Sequence, residues 1–403
     1  MIRTQNRYVA RVIQWGMLSA ILSIACLDVA AQQDADSTNS AARAPVEYSG
    51  QLSGWMQYAP DISSNFGLGA RYIPQLNLNI PLKNSSGRLI DFEFSANIMG
   101  DMNAHLGNKA DFDGRIKPYR AWARYSAERV EVRLGLQKIN FGSAQLFRPL
   151  MWFDQLDPRD PLQLTDGVWG LLGRYYFQNN TNIWLWGLGG NTRTKGWETM
   201  ATAKRIPEAG GRIQFPVPHG ETALSYHFRK VDPLFPGSAI EPENSSLCEN
   251  RWGFDTRLDV TAGLWLEASW TKLDKRLGML ANQEMITLGT DYTFGIGNGL
   301  TATFEQLVFA LDETAFRFNH TIPFSGLALS YPVGLFDHLN AITYYNWNDR
   351  KAYIFLNWQK NFDHFTFYLM GYWNPKDYSL PGQNGGGERF AGKGLQFMMV
   401  WNH

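Results

Sequence analysis

The chain is 403 residues long and carries 37 basic and 37 acidic side chains, so it has no net charge. That balance excludes electrostatic capture of nucleic acid by the molecule as a whole. Aromatic residues reach 14% while mean hydropathy is only −0.29, which excludes a bundle of apolar membrane helices and suits strands that are apolar on one face only.

Residues 1–31 have the form of an export signal. Arg3, Arg7 and Arg11 give a positive start, Met17 to Leu27 an apolar run, and Val29 and Ala31 the small residues before a cleavage site at Gln32. The alternative is a lipoprotein signal acylated at Cys26, although Ser23 stands where that signal usually has Leu. Cleavage after Ala31 leaves Cys248 as the sole cysteine and allows no intramolecular disulfide. Residues 32–45, "QQDADSTNSAARAP", are polar and low in complexity and read as a flexible lead-in.

From residue 46 to 403 the chain shows no amphipathic helix and about 18 segments (16–18) of strand period. Connections after even-numbered segments are short and turn-rich, as in "SAER", "QNNT", "VPHG", "TAG" and "GIGN". Those after odd-numbered segments are mostly long, among them "DMNAHLGNKADFDG", residues 142–167, "NTRTKGWETMATAKRIPEA" and "KVDPLFPGSAIEPENSSLCEN"; "NDRK" breaks the rule. Sorting of loop length by strand parity is the mark of a transmembrane β-barrel with short periplasmic turns and long extracellular loops. The loop "DMNAHLGNKADFDG" holds Asp101, His105, Asp111 and Asp113 without the ligand spacing of a calcium loop, and reads as solvated.

The stretch 129–177 opens on Arg133, Gly135 and Gln137, reaches Phe141–Gly142, and enters a Pro- and Asp-rich loop. It resembles a segment of Gram-negative outer-membrane porins of the alginate-export type, with Leu136 in place of the second Arg of their motif. The resemblance covers about an eighth of the chain and implies an outer-membrane channel. Loop 142–167 carries Arg148, Asp154, Asp157, Arg159 and Asp160 together with Phe147, Trp152 and Phe153. Its aromatic content favours folding inward as a constriction over a freely hydrated cap; an external cap or a contact to a neighbouring protomer is the other reading.

Along "RWGFDTRLDVTAGLWLEASW" (251–270) the faces separate by parity. Trp252, Phe254, Leu258, Val260, Leu264 and Leu266 lie on one face, and Arg251, Asp255, Arg257, Asp259 and Glu267 on the other. Lipid is the expected neighbour of the apolar face. The same rule puts Arg120, Arg124, Glu131, Arg133, Gln137, Arg174, Arg212, Arg229, Asp291 and Glu305 on the inner wall as pore-lining residues. These charges serve either a translocation path or a rigidifying set of Arg–carboxylate pairs. The chain ends on "GLQFMMVWNH", similar to the aromatic-ended last strand recognised by barrel-assembly machinery.

No HExxH, GxSxG or Walker pattern appears, and His227 reads as a wall residue. The sequence therefore specifies a non-enzymatic porin passing small polar, anionic or saccharide-like solutes, without cofactor or metal. Outer-membrane lipid, the barrel-assembly machinery and a small polar solute are the expected partners, and a homo-oligomer is compatible. The competing readings are a hydrolase on a barrel scaffold and a plugged adhesin or structural barrel.

Overall fold

Alternation of apolar and polar residues is carried into eighteen antiparallel strands that close on themselves in the computed structural model. The structure describes residues 45–61, 66–82, 87–104, 111–232, 246–274, 277–377 and 390–403. The export signal expected at 1–31, and the lead-in up to residue 44, lie outside the described residues.

In chain order the strands are β1 (Val46–Tyr58), β2 (Phe66–Pro81), β3 (Leu89–Ala104), β4 (Asp111–Ser126), β5 (Val130–Gln137) and β6 (Val168–Tyr176). Then follow β7 (Asn182–Leu188), β8 (Glu208–Val217), β9 (Gly220–Val231), β10 (Leu247–Asp259), β11 (Gly263–Leu273) and β12 (Asn282–Phe294). The last are β13 (Leu300–Asp312), β14 (Thr321–Pro332), β15 (Asp337–Asn346), β16 (Lys351–Asn361), β17 (Phe365–Trp373) and β18 (Lys393–Asn402). Each strand pairs with its sequence neighbours, and β1 pairs with β18 from Gln51↔Asn402 to Tyr58↔Leu395. Closure leaves no unpaired edge, so the apolar last strand has no free backbone to offer another chain.

Burial follows the expected parity. Trp252, Val260 and Leu264 are exposed on the outer face, as are Leu134, Leu185, Leu288 and Leu356. Arg251, Asp255 and Glu267 are buried on the inner one. Near the long-loop end, Trp252 and Trp270 stack at 4.5 Å with Phe316 beside them, and at the short-turn end Tyr292 and Phe294 meet at 4.9 Å. These are the two interfacial aromatic bands of a membrane barrel. The turns 127–129, 177–181, 218–219, 260–262 and 362–364 lie at the same end as the start of β1 and the end of β18. The connections 138–167 and 189–207 lie at the other. "NDRK" stays short because Asn346 organises the turn, donating to Asp349 and accepting from Asn348 N at 3.0 Å.

Two expectations about strand ends are corrected. Asp101, Asp111 and Asp113 belong to β3 and β4 rather than to a loop, and Asp101 lies directly opposite Asp113. Their alternation of polar and apolar residues continues past the membrane, which masks the strand end in the sequence. Cys248 likewise pairs with Lys230 inside β10 instead of lying in the preceding loop. One bulge also matters. The register shifts between Ser95 and Ala96, opposite Pro118 to Arg120, so both Lys117 and Arg120 reach the inner wall. Pro118 cannot donate to a ladder, and a bulge is where a strand tolerates it.

Candidate functional site

The connection 138–167 leaves β5 and turns into the barrel. Gly142 has φ +100°, and a side chain there would overlap the Glu267 carboxylate, so glycine is required. Beyond it the loop is held by two wall carboxylates. Glu267 accepts from the backbone N–H of Ala144 at 2.9 Å and of Leu150 at 2.7 Å. Glu305 accepts from those of Gln145, Leu146 and Phe147 at 2.6, 3.0 and 2.6 Å, and from Trp265 Nε1 at 3.0 Å. A turn of backbone donors needs acceptors once it leaves water, and the two carboxylates supply them.

The loop's aromatics complete the fixation. Phe147 lies 5.3 Å from Tyr344, and Trp152 donates Nε1 to Ser269 Oγ at 3.0 Å. Phe141 and Phe153 pack with Trp186 and Leu172. Gly253 and Gly326 on the inner wall leave the space that Leu150, Trp152 and Phe147 fill. Each buried large side chain contributes roughly 1.5–3 kcal/mol. Arg148 pairs with Asp154 at 3.1 Å, while burial pushes the Asp154 carboxyl above its usual range against that guanidinium. Arg159 pairs with Asp157 at 2.6 Å and lies over Phe390 and Phe355. Asp160 accepts from Leu162 N at 3.0 Å, and burial raises its carboxyl too.

A second loop, 189–207, also folds inward, although its sequence carries no such signal. Trp197 donates Nε1 to Arg148 O at 2.8 Å, tying the two loops together, and Gln283 reaches Trp197 O at 3.3 Å. Lys195 bridges to Glu208 at 3.1 Å, and Glu198 to Arg229 and Arg251 at 3.0 Å each. Glu249 holds the same two arginines, Arg229 at 2.6 Å. His227 lies between Trp186 Nε1 and Glu208, each at 3.1 Å, and is a hydrogen-bonded wall residue. Lys195, Arg229 and Arg251 thus face Glu198, Glu208 and Glu249, three charges against three, all buried.

This corrects the placement of several wall residues. Gln137, Arg212, Arg229, Arg251, Asp255, Glu267 and Glu305 point inward, but the loops cover them and they do not face water. Arg212 is spent on Asp255, at 2.5 and 2.8 Å. Arg120 is covered as well, donating to Thr165 O at 3.0 Å. A strip on β3–β7 keeps partial exposure. There Arg124 pairs with Asp91 at 2.7 Å, and Glu131 meets Arg133 and Arg174 at 3.2 and 3.5 Å. The guanidiniums lie over indole faces, Arg133 over Trp122 at 4.6 Å and Arg174 over Trp184 at 3.9 Å. Glu93 lies on the same face of β3, opposite Trp122, so three arginines meet three carboxylates along the strip. Arg257, with Asp259 at 3.0 Å and Asp291 at 3.1 Å, forms a second accessible group toward the short-turn end.

Across the lumen a cavity of about 350 Å³ lies between the first loop and strands β14–β17. Nothing in the sequence alternation singles out Asp91, Glu93 or the cavity's amide side chains as functional. Among the described residues no group of three or more His, Cys, Asp or Glu could hold a metal ion; His105 lies outside them.

Neither a family model nor a curated protein matches the chain. Solved structures do. Acinetobacter baumannii OccAB4 superposes with a TM-score of 0.56 at 9% identity, covering 89% of this chain and 98% of that one. Pseudomonas aeruginosa OccD3 (OpdP) gives 0.54 at 10% identity, covering 89% and 91%. At such identity the likeness establishes the fold, a closed barrel of the outer-membrane porin kind, and nothing finer.

Proposed function

We propose that the chain is an outer-membrane channel for small polar solutes with a mild preference for anions. The observation that carries this reading is the pair of opposed surfaces inside the barrel. A latched double loop covers one side of the lumen, and the accessible strip of Arg124, Arg133 and Arg174 stands on the other. Charge lining a low-dielectric passage focuses its potential, and the Arg124 guanidinium, 28% exposed, reaches further into the lumen than its partner Asp91 at 7%. Kinship with the alginate-export type is supported by the 129–177 segment alone, so the polysaccharide specificity of that group is not carried over. Export by a cleaved signal at 1–31, insertion by barrel-assembly machinery and association into a homo-oligomer belong to the same proposal.

The reading is tested by the zero-current potential of the protein in planar bilayers under a salt gradient. It should lie on the anion side at low salt and shrink as salt shortens the Debye length to about 3 Å at 1 M. Replacing Arg124, Arg133 and Arg174 together by Gln should move it to the cation side. An unchanged potential in a folded variant contradicts the role given to the strip.

A further inference from the structure

We propose that the cavity between the first loop and strands β14–β17 is a subsite for an uncharged, polyhydroxylated solute of one or two sugar rings. Its volume of about 350 Å³ falls within the range of small-ligand pockets. Five amide side chains line it: Gln145, Gln163, Asn340, Asn357 and Gln359. Each amide offers both a donor and an acceptor, which is what a hydroxyl also presents and what an ion does not need. Among the described residues, the charged members of the lining are Arg159 and Asp160. Arg159 already bonds Asp157 at 2.6 Å, and Asp160 accepts from the backbone N–H groups of Leu162 and Leu164 at 3.0 and 3.4 Å. The subsite is therefore close to neutral, in contrast to the arginine strip opposite.

Asn357 adds the directional element. Its Oδ1 is buried without a hydrogen-bond partner among the described residues. A buried acceptor left unmade is costly, and turning the amide into the cavity to meet a ligand hydroxyl relieves that cost. Phe355 and Met370 provide apolar surface beside the amides, suited to the C–H face of a ring. A carboxylate-bearing solute meets one guanidinium there, Arg159, whose charge Asp157 already neutralises at 2.6 Å.

This inference rests on the channel reading, and two readouts separate their failures. The full-length protein, purified and in planar bilayers, is titrated with glucose, maltose and gluconate while single-channel current is followed. Calorimetric titration of the detergent-solubilised protein reports binding without any current. Glucose or maltose should reduce conductance saturably, and gluconate should not. Asn357→Leu should raise the half-blocking concentration about tenfold, and Gln359→Leu provides the second variant if the first does not fold. Heat-modifiable mobility on gels reports folding in each case. Steady current with neither sugar block nor calorimetric binding overturns the subsite and leaves the channel standing. Sugar binding without current sustains the subsite and overturns the channel. Gluconate binding in preference to both sugars overturns the assignment of an uncharged ligand.

Discussion

Glu249 shows what a single side chain contributes to this barrel. It is buried and shared by Arg229 and Arg251, within a cluster whose charges balance three to three. Removing one partner of a buried pair leaves an uncompensated charge and costs about 3–5 kcal/mol. Glu249→Gln should therefore lower markedly the temperature at which the folded, fast-migrating gel species is lost. Asp259→Asn removes a 65% exposed partner of Arg257, where pairs are worth about 0–1 kcal/mol, and should shift that temperature little. Equal losses from the two changes contradict the division of the inner wall into covered and wet regions. Glu267 and Glu305 act differently, since their partners are backbone N–H groups of a loop. Gln keeps the shape but surrenders a charge-assisted bond, so Glu267→Gln with Glu305→Gln should loosen the tip and make single-channel current noisy.

Among the elements, the strands were the most legible and the loops the least. The hairpin 251–270 shows its faces by parity, because lipid tolerates no charge and the inner wall carries many. The same physics gives a depth-dependent prediction. Leu288 is exposed at the middle of β12, so Leu288→Arg should impair assembly by about 2–4 kcal/mol, whereas Leu258, next to the turn 260–262, should accept Arg at about 0–1 kcal/mol. Outer-membrane yield and heat-modifiable mobility report both, and comparable yields contradict the assigned depths. The first loop betrayed its inward packing through Phe147, Trp152 and Phe153, too much apolar surface for a hydrated cap. The second did not. Lys195 and Glu198 look solvated in sequence, and their partners Glu208, Arg229 and Arg251 belong to strands the chain reaches only later. The bulge at Pro118 to Arg120 was equally hidden, so a parity count from Arg120 and Arg124 omits Arg115 and Lys117, which pair with Asp101 and Asp166. Deleting residues 147–160 should raise conductance severalfold in a barrel that still closes through β1 and β18. Unchanged conductance contradicts a constricting role for the loop.

At the scale of the whole molecule, a zero net charge conceals a sorted interior. Balanced and buried pairs hold the loops on one side, a partly exposed strip of arginine–carboxylate pairs stands on another, and a nearly neutral amide cavity lies across the lumen. A scaffold or plugged barrel needs rigidity only, and the covered charges would supply it. The proposed channel gives the partly exposed arginines and the cavity a role that rigidity alone does not. Single-channel recording of the wild-type protein in planar bilayers decides between the two most directly. The account predicts discrete, long-lived conductance steps of uniform size; a correctly folded barrel that inserts and stays silent contradicts it.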